Sequence, residues 1–481
     1  MAHLSKPHAR LELTPDELRN LGYAVVDQMV EHYVQLSDLP VTTTRHRADL
    51  EALLREPMPR EPTAPGKVLQ QTVEDVFGNV MFTEHPRFFA FVPGPSNSVS
   101  AVADMLVAGY NAFAGTWLEA SGAGMVEVLV IDWLREMIGM PEGTGGVLTS
   151  GGSLANLQAI HTARHAALGD DDTQGVMYYS DQTHSSVDRA TRILGLRPDQ
   201  VRRLPSDDAY RVDVDALRAA IREDKAVGRV PFCVVANAGT TNTAAVDPLA
   251  ELADLCAAEG VWLHVDGAYG AAAALTAEGR ALLKGIERAD SVTVDPHKWL
   301  FQPYEMGCLL VRDRRALRNA FLLVPEYLAD TAGDEDDVNF YDYGVQLTRG
   351  FRALKLWMSL KVFGADAFAE AVDWGFQQGE IVAGLLREDT HWEIVSGPQM
   401  GVINFRYAPG GDHTPAAIDA LQQDIVNDIV ASGYAMVATT VLKGRKVVRL
   451  ILINPRTTED ELVETVERLT AMAAARAGVM A

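Results

Sequence analysis

Lys298 stands in the run Asp295-Pro296-His297-Lys298-Trp299, just past an apolar, strand-like Ser291-Val292-Thr293-Val294. A lysine amine is a weak nucleophile until it is desolvated or condensed with an aldehyde. Taken alone, such a lysine reads as a surface residue after a strand. The stretch Leu263-His264-Val265-Asp266-Gly267-Ala268-Tyr269 changes that reading, because a second apolar run there ends in a carboxylate. A lysine that condenses with an aldehyde and an acid set against a pyridinium nitrogen are what pyridoxal 5'-phosphate chemistry asks of a protein. Both are present, each expected at the end of its own strand.

Three further segments end in chemically useful residues. Leu148-Thr149-Ser150-Gly151-Gly152-Ser153-Leu154-Ala155-Asn156-Leu157 puts small and hydroxyl residues ahead of a helical run that continues through Ala166. Free N–H groups at a helix start can hold a phosphate, and glycines let the backbone approach it closely. A plain N-cap turn reads as well from this segment alone. No GxxxxGK[ST] or GxGxxG pattern stands here, so neither a P-loop nor a dinucleotide site is indicated. In Asp181-Gln182-Thr183-His184-Ser185-Ser186, His184 could stack on a planar cofactor or serve as a structural histidine. The hydroxyls of Ala238-Gly239-Thr240-Thr241-Asn242 could touch cofactor oxygens or cap the turn. Five such segments at one sheet edge are jointly far more specific than any one.

These segments need a scaffold. From about residue 85 to 365, β-branched runs alternate with alanine-rich helical stretches, which predicts a largely parallel α/β sheet with ligands at the strand ends. Residues 232–236, 262–266, 291–294 and 308–311 read as buried strands, and 246–259 as a helix between two of them. Thr14-Pro15-Asp16-Glu17 opens an amphipathic helix over 14–37, followed by a proline-broken connection over 56–66. This N-terminal arm could pack on a partner subunit. Near the C-terminus, 401–407 and 447–453 read as strands with a tight turn at Lys443-Gly444-Arg445-Lys446, and Thr458-Glu459-Asp460-Glu461 opens a helix. The expected organisation is a helical arm over 1–84, a large domain over 85–365 and a small α+β domain over 366–481.

Composition sets limits. The 481 residues carry 42 Lys plus Arg against 65 Asp plus Glu, a formal charge of −23, so nucleic acid and anionic membranes are not expected partners. Only Cys233, Cys256 and Cys308 occur, in no metal-like spacing, which suits a reducing cytoplasm better than a disulfide framework. No metal is expected. The N-terminus lacks the apolar core of a signal peptide, and no apolar run reaches membrane-spanning length, so a cytoplasmic location is expected.

The chain resembles the group II pyridoxal-phosphate decarboxylases, the family of aromatic-L-amino-acid, histidine and glutamate decarboxylases. The resemblance covers nearly the whole length. It runs through His85-Pro86-Arg87-Phe88-Phe89-Ala90, Asn97-Ser98, Glu127 with Asp132-Trp133-Leu134, residues 149–157 and His184-Ser185-Ser186-Val187-Asp188-Arg189-Ala190. It continues through His264-Val265-Asp266, Pro296-His297-Lys298-Trp299 and Phe351-Arg352-Ala353-Leu354-Lys355. It implies a fold type I enzyme whose large domain holds a mostly parallel seven-stranded sheet, acting as a homodimer with shared active sites. It also implies that Lys298 holds the cofactor covalently, Asp266 pairs with the ring nitrogen and His184 stacks on the ring. Gly152 and Ser153 would then hold phosphate, with Thr241, Ala268 and His297 completing the cofactor pocket. Tyr327, in Pro325-Glu326-Tyr327-Leu328, falls on the family's proton-donating tyrosine.

The resemblance implies decarboxylation of an L-amino acid to its amine. The substrate pocket is expected at Thr83, Val92, Pro93, Gly94, Gly115 and His297. Animal aromatic decarboxylases carry large rings where this chain has Thr83, Val92 and Gly115, and Gly94 replaces a threonine. An aromatic or bulkier side chain is therefore expected. The alternative is oxidation of the decarboxylated substrate by dioxygen to aldehyde, ammonia and peroxide, against which Tyr327 argues. An aminotransferase and a non-catalytic cofactor-binding scaffold are weaker alternatives.

Overall fold

The computed structural model describes residues 11–92, 94–169, 173–323 and 337–480, with side chains through 478. Its centre is a seven-stranded sheet of β1 (Gly145–Thr149), β2 (Gly175–Ser180), β3 (Val201–Leu204), β4 (Val230–Asn237), β5 (Trp262–Asp266), β6 (Ser291–Val294) and β7 (Gly307–Val311). The spatial order is β1-β7-β6-β5-β4-β2-β3. Neighbours from β6 across to β3 run parallel, whereas β7 is antiparallel to both β6 and β1. Helices connect the parallel strands, so both sheet faces are covered and nearly every strand residue is buried. The predicted strands β5 and β6 match the observed bounds. The helix expected from Val246 begins at Leu249, because Val246 pairs with Ala238 and buried Asp247 accepts from the Val212 and Asn237 backbone.

A second, antiparallel sheet follows, ordered β10-β11-β9-β8, from β8 (Trp392–Gln399), β9 (Val402–Tyr407), β10 (Ala438–Leu442) and β11 (Arg445–Ile451). Leu442 pairs with Arg445 across Lys443 and Gly444, both at positive φ, which is the two-residue hairpin turn that matches strand twist. Phe405, Leu450, Ile425, Leu462 and Leu469 form a separate apolar core between this sheet and its helices.

The N-terminal helix Pro15–Gln35 carries the expected capping box between Thr14 and Glu17. It buries no residue, and Leu18, Tyr23, Val30 and Val34 stand exposed. Among the described residues no helix is long and apolar enough to cross a membrane.

Candidate active site

The site begins with strand ends. β5 delivers Asp266 and β6 leads directly into the turn that carries Asp295, His297 and Lys298. The two strands are adjacent and parallel, so their C-terminal residues emerge side by side. The helix Gly152–Leu168 lies over this part of the sheet, pressing Ala155 and Ala159 against it. Its start is held from behind: buried Glu127 accepts from Leu148 N at 2.9 Å, Arg349 donates to Leu148 O at 2.8 Å, and the two side chains pair at 2.5 Å.

A cavity of about 550 Å³ opens at this edge. Its wall includes Gly152, Ser153, His184, Thr241, Asp266, Ala268, His297, Lys298 and Val92, each named from the sequence. Lys298 Nζ lies 3.3 Å from Asp295 Oδ2. Asp266 Oδ2 accepts from Asn156 Nδ2 at 2.8 Å, and Oδ1 accepts from Ala268 N at 3.2 Å. His184 caps the helix Ser185–Ile193, its Nδ1 accepting from Ser186 N. Thr240 and Thr243 close their turn on each other's hydroxyls, while Thr241 faces the cavity.

Burial is the main influence lowering the pKa of both His184 and His297, so each favours the neutral ring. The Asp266 and Asp295 carboxylates oppose that shift at His184. His297 Nδ1 is fixed by Met306 O at 2.7 Å.

The residues fit pyridoxal 5'-phosphate. A side chain at Gly152 would press within 2.9 Å of Asp295 Oδ2 and 3.0 Å of Ala268 Cβ, so the helix start stays bare where a phosphate needs open backbone. The same cavity wall carries an amine and a carboxylate, the groups an aldehyde-bearing pyridine requires. Among the described residues no cluster of His, Cys, Asp and Glu is arranged to hold a metal ion.

Other expected positions lie elsewhere. Thr83 lines a different cavity, against the N-terminal helix, and Gly94 and Gly115 are absent from the wall described above. At both glycines a ring takes the space: a Cβ on Gly94 would stand 2.7 Å from Tyr304 Oη, and one on Gly115 would overlap Phe113. Pro93 and Tyr327, with the rest of Pro325-Glu326-Tyr327-Leu328, lie outside the described residues.

Sequence reading passed over Asn156, Asp295, Tyr304 and Arg449. Asn156 is four residues after Gly152, on the same helix face, a spacing that could have flagged it. Arg449 comes from β11, donates to Thr241 O at 2.9 Å and keeps a buried Nε without a partner among the described residues. No local pattern announces a residue delivered by the second sheet.

Residues 48–408 match the model of the pyridoxal-dependent decarboxylase conserved domain. The chain is 45% identical to an aromatic-L-amino-acid decarboxylase of Bacillus atrophaeus, over 96% of this chain and 97% of that one. It is 30% identical to a phenylacetaldehyde synthase of Arabidopsis thaliana, over 93% and 94%. Among solved structures, Oryza sativa TDC with PLP and tryptamine superposes with a TM-score of 0.91 at 29% identity, over 96% of this chain and 99% of that one.

Proposed function

The chain belongs to the pyridoxal-dependent decarboxylase family and uses pyridoxal 5'-phosphate, and on that premise we propose that it converts an aromatic L-amino acid to its amine and carbon dioxide. The observation that carries this is the pairing of Lys298 and Asp266 at two adjacent strand ends, across one cavity floored by a glycine helix start. The aromatic choice is supported by the wall, where Phe91, His184, Tyr269, His297 and Tyr304 contribute rings, and by the relatives' substrates.

Bound here, pyridoxal phosphate supplies an aldehyde that condenses with amines and a ring that takes up the electrons left when carbon dioxide departs. Lys298 presents its amine toward that aldehyde and is steadied by Asp295. Asp266 offers acceptor oxygens to the ring N–H, and His184 offers a neutral ring face. Gly152, Ser153 and the helix start would hold the phosphate, and Thr241, Ala268 and His297 would complete the cofactor's pocket. Tyr327 gives the proton to the former α-carbon: a tyrosine with the ordinary pKa near 10 keeps its proton at neutral pH. Val92 lines the substrate side, Pro93 is assigned there by the family resemblance alone, and Thr83, Gly94 and Gly115 act through the rings and the arm behind them.

The active form is a homodimer with shared sites. The exposed Tyr23, Val30 and Val34 support this, since they share one face of the N-terminal helix and an apolar stripe of that kind is normally covered. Three buried, unpaired cysteines fit a reducing cytoplasm. Borohydride reduction of the loaded enzyme followed by peptide mapping tests the assignment. The pyridoxyl group is expected on Lys298, and finding it on another lysine rejects the site.

A further inference from the structure

Behind Asp266 lies a set of buried polar side chains that the reaction does not itself require. Strand alternation puts Trp262, His264 and Asp266 on one face of β5, and Ser291 and Thr293 on the same face of β6. His264 is paired with Ser291 and Asp266 with Thr293. The helix Gly152–Leu168 drops Asn156 onto this face, and Asn156, His264, Ser291 and Thr293 are fully enclosed.

Donor and acceptor accounting fixes every proton in the set. Asp266 only accepts, so Asn156 Nδ2 is the donor in their 2.8 Å contact, and its second hydrogen goes to Ser186 Oγ at 3.0 Å. Asn156 Oδ1 is then an acceptor, receiving Thr293 Oγ1 at 2.7 Å and His264 Nε2 at 3.1 Å. Burial holds His264 neutral, its pKa lowered to about 4, so Nδ1 carries no proton and accepts from Ser291 Oγ at 2.9 Å. Ser291 Oγ in turn accepts from Trp262 Nε1 at 2.8 Å. On the other branch, Ser186 donates to His184 Nδ1 at 2.9 Å.

We infer that Asn156 and His264 are positioning residues that set both groups meant for the cofactor ring: the Asp266 carboxylate through Asn156 Nδ2, and the His184 imidazole through Ser186. The amide makes all four of its hydrogen bonds and cannot flip without facing donor to donor. One fixed orientation of Asn156 therefore fixes two contacts on different elements. A buried network with every member satisfied holds its geometry, whereas one missing donor leaves several groups unpaired.

The inference rests on the assignment of Asp266 to the ring nitrogen. Glutamine can place an amide N–H near the Nε2 position of histidine, and asparagine cannot reach it. His264→Gln and His264→Asn are thus similar in polarity and differ in the donor. The readouts are the visible circular dichroism of the bound cofactor, which follows ring orientation, and kcat against KM. His264→Asn is expected to halve the dichroism and lower kcat about tenfold with KM within about twofold, while His264→Gln stays within about threefold of wild type. Equal behaviour of the two variants overturns the inference.

Thr293→Val gives an independent reading should the His264 variants not fold, because it deletes the second donor to Asn156 Oδ1 at nearly constant volume. A weakened dichroism supports the network, and a wild-type signal overturns it. Asp266→Asn, measured in parallel, separates the two claims. Wild-type turnover there removes the ring-nitrogen assignment, whereas loss there with matched His264 variants removes the network alone.

Discussion

Lys298 Nζ and Asp295 Oδ2 lie 3.3 Å apart, within one turn that follows β6. Asp295 is almost fully enclosed, and its second oxygen has no partner among the described residues. Gly152 and Gly307 leave the room for it: a Cβ on either would press against its carboxylate. The amine is thus held by a charge-assisted contact that points it into the cavity.

Asp295→Asn keeps the size of that partner and removes its charge. Cofactor added to the apoenzyme should then attach about tenfold more slowly, as an anchoring contact worth about 1.4 kcal/mol is lost. The growth of visible absorption measures it. An unchanged rate would assign Asp295 to the turn alone, and a faster one would mean that its charge holds the amine back rather than anchoring it.

Tyr304 packs its ring against His297 at 5.2 Å and fills the space beside Gly94. Removing it by Tyr304→Ala should raise kcat/KM for an indole side chain relative to a phenyl one. A pocket mismatch of this kind is worth roughly 1–3 kcal/mol, about 5- to 150-fold. Parallel loss for both substrates would place Tyr304 outside the specificity wall.

Stability should fall in acid. His85 and His264 have folded pKa values near 4 because of burial, below the ordinary 6.5. Between those values each takes up a proton on unfolding, which favours the unfolded chain as pH drops. Asp247 opposes this, since burial raises its pKa from 3.8 to about 6 and keeps it protonated in the folded chain over that span. For these three groups together the difference is two protons from pH 6.5 to 6 and one from pH 6 to 4, at about 1.4 kcal/mol per proton per pH unit. From these groups, urea midpoints of the apoenzyme should hold level from pH 7.5 to 6.5 and decline from there to pH 4.5. A midpoint that rises toward acid contradicts the balance.

Much of the cavity wall was readable because β5 is a short apolar run ending in Asp266 and β6 is one followed at once by the polar turn that carries Asp295 and Lys298. The antiparallel direction of β7 was not readable, since a buried strand has the same composition in either direction. Strands β8 and β10 escaped for another reason: they are half exposed and lack an apolar run. The substrate wall was least legible. Which ring fills the space at Gly94 or Gly115 depends on Tyr304 and Phe113, and no spacing around the glycines encodes that.

Tyr327→Phe deletes one hydroxyl from the residue assigned as proton donor. The variant should still release carbon dioxide but shift toward aldehyde, ammonia and peroxide, consuming dioxygen. A drop of about 10²- to 10⁴-fold in amine formation is expected for the loss of a general acid. Amine formation at the wild-type rate would move the proton donor elsewhere.

Product stoichiometry of the wild-type enzyme bears most directly on the proposed reaction. Purified enzyme with pyridoxal phosphate is given L-phenylalanine, L-tyrosine and L-tryptophan in air-saturated buffer, and carbon dioxide, amine and peroxide are read together. One amine per carbon dioxide from at least one of them, with no matching peroxide, is the predicted result. Peroxide and aldehyde in step with carbon dioxide, or no carbon dioxide from any of the three, would contradict it.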